Sequence, residues 1–313
     1  MPQPPPRPSV YFGGQAVLEG VMIRGPRHMA VAVRHPKGHI VTHVEELGGV
    51  YTGKVRRVPL IRGVVVLWET MALGMRALSF SSRVAVEGEE DAKGEPAEFP
   101  TGVFWGTMAL SLIFVVGVFF ASPILLANLL ELVAAPRWII VGVEGALRLG
   151  LFIGYILLIG LVPDIRRVFQ YHGAEHMTIH AYEAGATLTP PEIRAFPKEH
   201  TRCGTSFLLV VVVVALVTFF AFDVVVDEGL LIRVSSRVFL VAPIAALSYE
   251  LLRLGARFGD VGFVRAMFAP NIALQALTTR VPDDDQVEVA LASFLAVVAA
   301  ADGAVDMPGE PTE

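Results

Sequence analysis

A chain of 313 residues that is 54% hydrophobic, with a mean hydropathy of +0.59, is too apolar for an ordinary soluble domain. A net charge of −5 and an isoelectric point near 5.9 argue against nucleic acid as a partner, since phosphate neutralisation needs a basic excess. One cysteine excludes an intrachain disulfide.

Residues 1–10 are proline-rich and lack the apolar core of a cleavable signal, so a disordered start is expected. Residues 11–84 precede the first long apolar run and are expected to form a small cytosolic α+β region. Within it, Gly13, Gly14, Gly20 and Gly25 surround an apolar stretch holding Glu19 and Arg24, which suggests tight turns and close backbone approach. It matches no phosphate-binding fingerprint. Ala30 to Arg34 and Ile40 to Glu46 alternate around the turn-forming His35-Pro-Lys-Gly38, which predicts a β-hairpin. His39 and His43 share a face there and read as exposed strand positions. Pro59 to Phe80 carries apolar residues at helical spacing but also Arg62, Glu69 and Arg76, so an interfacial helix, or one docked on the membrane helices, is expected. Residues 85–100 form an acidic linker.

Residues 101–254 hold four apolar segments near the ~20 residues that a membrane span requires: Thr101 to Leu132, Trp138 to Val162, Ser206 to Phe222 and, somewhat short, Val238 to Leu252. The expected fold is mainly α, a polytopic membrane protein built on about four transmembrane helices. Arg166, Arg167, Arg194, Lys198 and Arg202 lie between the second and third segments, and Arg253, Arg257 and Arg265 follow the fourth; the outer loops carry Arg137, Arg233 and Arg237. That bias predicts a cytoplasmic central loop and cytoplasmic termini. Glu144 and Arg148, four residues apart inside the second segment, predict an intramembrane ion pair that fixes helix packing or lines a pathway.

The central stretch, 163–206, concentrates the chemistry. A helix from Ile165 to Ala184 puts His172, His176 and His180 on successive turns of one face, with Glu183 between them and Glu175 at the edge of the same stripe. His172-Gly-Ala-Glu175-His176 is an H-x-x-E-H arrangement, in which two imidazoles grip one ion and the carboxylate activates a water. His200 and Cys203 supply a second cluster that can close around the same ion. His180 and Glu183 are then placed to hold the ligand imidazoles in one tautomer.

Tyr171-His-Gly-Ala-Glu-His176, Ile179-His-Ala-Tyr-Glu183 and His200-Thr-Arg-Cys-Gly-Thr-Ser-Phe207, with Gly13 to Gly25 and Leu277 to Asp285, resemble the motifs of the YqhQ-like bacterial membrane proteins. The resemblance spans nearly the whole chain. It implies a polytopic protein of the bacterial inner membrane, labelled a predicted metal-dependent enzyme with no assigned reaction.

Residues 255–301 are expected to form interfacial helices, the last capped by Asp283 or Asp284 and apolar along Val287, Leu291, Phe294, Leu295 and Val298, a stripe suited to a partner surface. Residues 302–313 read as a disordered tail. The leading functional expectation is a membrane-embedded zinc hydrolase, with iron as the other candidate ion. His172, His176, His200 and Cys203 are the candidate ligands and Glu175 the proton acceptor. The competing expectation is a noncatalytic scaffold or assembly factor stapled by a closed metal site. The expected partners are membrane lipid and either another protein or a second copy of the chain.

Overall fold

The structure, a computed structural model, describes residues 12–48, 58–86, 101–200, 203–226, 230–258 and 261–301. The expected disordered ends and most of the acidic linker lie outside the described residues. The N-terminal region is a four-stranded antiparallel meander of β1 (Gly13–Val17), β2 (Gly20–Arg24), β3 (His28–Arg34) and β4 (Ile40–Glu46), in that order. The predicted hairpin is its second half, with Ala32 opposite Thr42. The glycine-rich stretch, expected as turns, is its first half, with Gly13 opposite Arg24.

Helices α1 (Ile61–Val86) and α2 (Thr101–Val116) follow, then a single π turn (Gly117–Ala121) and α3 (Ser122–Asn128). Next come α4 (Arg137–Ile159), α5 (Pro163–Glu183), the short α6 (Pro190–Ile193), α7 (Gly204–Val225), α8 (Leu230–Phe239), α9 (Val241–Arg257), α10 (Gly262–Thr278) and α11 (Asp284–Ala301).

The sheet is the middle of three layers. Val21, Ile23, Ala30 and Ala32 pack against Tyr171, Ala174 and Met177 of α5 and Val287, Ala290 and Phe294 of α11. Met22, Met29, Val31 and Val33 pack the opposite way, against Leu73, Ala77 and Val84 of α1. Strands covered on both faces need no polar alternation, which is why β2 reads as a continuous apolar run. Helix α11 therefore spends its apolar face inside its own chain rather than on a partner. Its buried stripe runs through Gln286, Val287, Ala290, Ser293, Phe294 and Val297, while Leu295 is exposed. Asp283 and Gln286 cap it reciprocally: the Gln286 N–H donates to Asp283 Oδ1 at 3.1 Å and the Asp283 N–H to Gln286 Oε1 at 3.0 Å. Gln286→Ala is expected to lower the unfolding free energy by about 1 kcal/mol, as loss of such a cap does; an unchanged thermal midpoint would show the cap to be idle.

Four helical stretches among the described residues are long and apolar enough to cross a membrane: Ile61–Ala85, Trp105–Val133, Arg137–Ile159 and Phe207–Val225. The chain is thus a polytopic membrane protein; by length and composition alone α1 joins the expected spans, while it also packs on the sheet as a docked helix would. Helix α9 is only 17 residues long. Helix α1 meets the length and composition of a span, and two of its charges are paired. Glu69, buried, joins Arg24 on β2, and Arg62 joins Glu250 on α9. Gly63 lets α1 approach α9 closely, since a Cβ there would lie 2.8 Å from the Ala246 backbone.

At the end of the bundle far from α5, Glu144 and Arg148 belong to a larger network. Glu144 accepts from Arg148 (2.6 Å) and Arg237 (2.9 Å) through Oε1 and from Arg233 (2.7 Å) through Oε2. Arg237 also donates to Asp223 Oδ2 at 2.6 Å. Arg233 and Arg237, expected as charges of an outer loop, are instead buried side chains of α8. Arg148 Nε donates to the Phe119 carbonyl at 3.1 Å. In a regular helix that carbonyl would pair with the residue four positions on, and Pro123 has no N–H to offer. Three guanidiniums and two carboxylates thus tie α4, α7 and α8 together and reach the π turn.

Candidate metal centre

Helix α5 leaves the membrane helices at Pro163, in its first turn where a missing N–H costs nothing. It presents His172, His176 and His180 one turn apart, and the chain after α6 returns alongside it. Backbone carbonyls then fix each imidazole. His172 Nδ1 donates to Thr278 O (3.0 Å), His176 Nδ1 to Lys198 O (2.6 Å) and His180 Nε2 to Glu199 O (2.8 Å). A carbonyl only accepts, so the bonded nitrogen carries the proton and the other ring nitrogen of each neutral imidazole is a bare lone pair. Metal-binding histidines are oriented in this way.

The four candidate ligands and the two residues expected to orient them fall into two groups. His172, His176 and Cys203 offer donor atoms mutually within 4.8 Å, with His172 Nε2 3.1 Å from Cys203 Sγ. His180, Glu183 and His200 offer a second such set. Sequence reasoning put His200 with the first pair; the structure seats its ring beside His180, at 4.4 Å between centroids, against 5.7 Å from His176. Glu144 and Arg148 lie elsewhere. Fifteen positions of α4 separate Glu144 from Ile159, where the helix ends ahead of α5, roughly 22 Å of helical rise.

A cavity of about 200 Å³ opens on the first group. His176, Glu175, His200 and Cys203 line it, with Phe12 just before β1, Gly14 and Gln15 of β1, and Thr70 and Leu73 of α1. His176 Nε2 and Glu175 Oε2 are buried without a hydrogen-bond partner, on residues only 2% and 3% exposed. Unpaired buried polar atoms are costly, so two of them on one cavity fit an ion and its water. The donor chemistry, two imidazoles and a thiol, suits zinc or iron. Burial raises the Glu175 carboxyl to about 7, against the opposing pull of His172 and of a hydrogen bond from the Gly14 N–H.

Several residues that build this site went unread in the sequence. The Gly14 N–H reaches Glu175 because glycine leaves room: a Cβ there would stand 2.9 Å from the carboxylate. At the β1–β2 turn, Glu19 sits in the left-handed region (φ 50°) and accepts both Arg167 Nε (2.5 Å) and Nη2 (2.6 Å), which pins the turn to α5. The Arg167 hydrogen bond holds the Glu19 carboxyl below its ordinary value. Gln275 of α10 clasps the backbone of His200, accepting from its N–H and donating to its carbonyl at 2.9 Å each. The only legible hint was that glycines and polar residues recur beside apolar ones in Gly13–Gly25 and Leu277–Asp285.

A family described as protein of unknown function (DUF1385) matches residues 58–300. The uncharacterized protein YqhQ of Bacillus subtilis (strain 168) is 34% identical over 293 residues, covering 90% of this chain and 91% of that protein. No solved structure gives a significant match.

Proposed function

The chain belongs to the DUF1385 family, whose function is unknown, and from that premise we propose that it is a membrane-embedded metal-dependent enzyme, a zinc hydrolase in its simplest form. The observation that carries this reading is the donor set: among the described residues, three protein ligands, His172, His176 and Cys203, beside a buried carboxylate with one oxygen unpaired. Catalytic zinc sites keep three protein ligands and an open position, whereas structural sites close with four. A closed staple would need His200 in the first group, and His200 sits with His180 and Glu183.

When bound, a divalent ion supplies Lewis acidity and makes water acidic enough to attack near neutral pH. The chain's own groups do the rest. Thr278 and Lys198 hold His172 and His176 with Nε2 forward. Gly14 holds one side of the Glu175 carboxylate and leaves Oε2 to take the proton of the attacking water and pass it to the leaving group. Phe12, Leu73 and Ile179 give the cavity apolar walls. Arg166, Arg167, Arg194 and Lys198 gather at this end of the bundle, which supports placing it on the cytoplasmic side of a bacterial inner membrane.

Elemental analysis of protein purified without a histidine tag tests the reading. The wild type is expected to carry zinc or iron, and His176→Ala and Cys203→Ser each to lose one equivalent per chain while the sheet and helices stay folded by circular dichroism. Equal metal in all three would overturn it, as would a metal-free wild type prepared without chelators.

A further inference from the structure

We propose that His180, Glu183 and His200 form a second divalent-cation site, so that the centre takes two ions per chain. The proposal extends the reading of the His172, His176 and Cys203 trio as a metal centre and rests on it, since His200 lines the cavity that His176 and Cys203 line.

Three observations carry it. First, the donors are mutually within 4.8 Å and come from two separate stretches, the end of α5 and the returning loop. Second, the His180 Nε2 proton is committed to the Glu199 carbonyl at 2.8 Å, which leaves Nδ1 as the nitrogen able to ligate, the same arrangement that prepares His172 and His176. Third, His200 Nε2 and Glu183 Oε2 stand 3.4 Å apart, long for a hydrogen bond between an imidazole and a carboxylate. Two ligands at about 2.0–2.2 Å from one tetrahedral ion are separated by about 3.3–3.5 Å. The pair thus has the spacing of neighbouring ligands.

The Gln275 clasp on the His200 backbone holds the loop half of this site, and His200 also lines the cavity shared with His176, Cys203 and Glu175. Two imidazoles and a carboxylate suit zinc or another ion of the same borderline class. The trios differ in one chemically useful way, because only the first contains a thiolate.

Stoichiometry and a cobalt probe separate the sites. The full chain, stripped of metal and reloaded with Co(II), is expected to bind two equivalents and to show one thiolate-to-cobalt charge-transfer band. His180→Ala and the conservative Glu183→Gln should each lose one equivalent and keep the band. Cys203→Ser should lose the band and keep the other equivalent. A wild type that binds one equivalent with the band, unchanged in His180→Ala and Glu183→Gln, would overturn the second site and leave the first standing. No cobalt bound at all would overturn both. Glu183→Gln retains a hydrogen-bonding partner for His200, so a mere orienting role for Glu183 would leave its stoichiometry at the wild-type value.

Discussion

Glu144→Ala is expected to destabilise the membrane bundle by about 3–5 kcal/mol, the range seen when one partner of a buried ion pair is removed. Glu144 is 1% exposed and receives three guanidiniums, and Asp223 is the other carboxylate of the cluster. Removing Glu144 leaves Arg148, Arg233 and Arg237 sharing Asp223 alone in a region where water cannot solvate the excess charge. The consequence should be local to the far end of the bundle: α8 loses its hold on α4, and the tie from Arg148 to the π turn loosens. Reversible unfolding in mixed detergent micelles would measure the loss, and Glu144→Gln, which keeps the shape, should fall between wild type and alanine. The salt dependence should be small, because buried pairs are weakly screened. Metal content of the folded fraction should not change, since the centre lies at the other end of α4. A loss under 1 kcal/mol would show that the network is solvated and does not hold the helices.

Gly173→Ala should also be costly, although intrinsic helix propensity predicts a gain of up to about 1 kcal/mol for replacing a helical glycine with alanine. The decisive fact is what lies against the helix. A Cβ on Gly173 would be driven into the carbonyl oxygen of Arg280, with the Arg280 carbonyl carbon at 3.3 Å and Pro282 at 3.5 Å. That segment cannot retreat freely. The Arg280 N–H donates to the Phe169 carbonyl at 2.8 Å, and the Thr278 carbonyl accepts from His172 at 3.0 Å. Overpacking of this kind costs about 1–3 kcal/mol. Because the Arg280 segment continues directly from Thr278, whose carbonyl orients His172, metal affinity should fall by about 10–100-fold as well. Equilibrium unfolding and a competition titration with a zinc chelator would measure the two effects. A stabilised variant with unchanged affinity would mean that the Arg280 segment is not seated on α5.

The two expected losses come from opposite ends of the molecule and divide what could be read in advance from what could not. Periodicity alone placed the histidine bank, because three imidazoles four residues apart must share a helix face whatever surrounds them. The Ala30 to Glu46 hairpin was likewise legible from alternation and a turn. The first two strands were not, because burial of β2 on both faces removes the alternation that marks a strand, and glycines open both β1 and β2. The i,i+4 spacing showed Glu144 with Arg148. It could not show Arg237, 93 residues on, or Asp223, because both were hidden among residues that read as helix end and outer loop.

Composition and local spacing by themselves determined that this is a polytopic membrane protein with a helix of potential ligands between apolar segments. They also named every residue of the two donor sets. Only the tertiary structure decided the grouping, seating Cys203 with His172 and His176 and setting His200 beside His180 and Glu183. It also decided that Gly14 and Gln275 serve the same centre from the far ends of the chain. The physical reason is range: helix geometry is set by each residue and its near neighbours, whereas the path of a returning loop is set by carbonyls, a buried glutamine and close glycine contacts supplied by elements dozens of residues away.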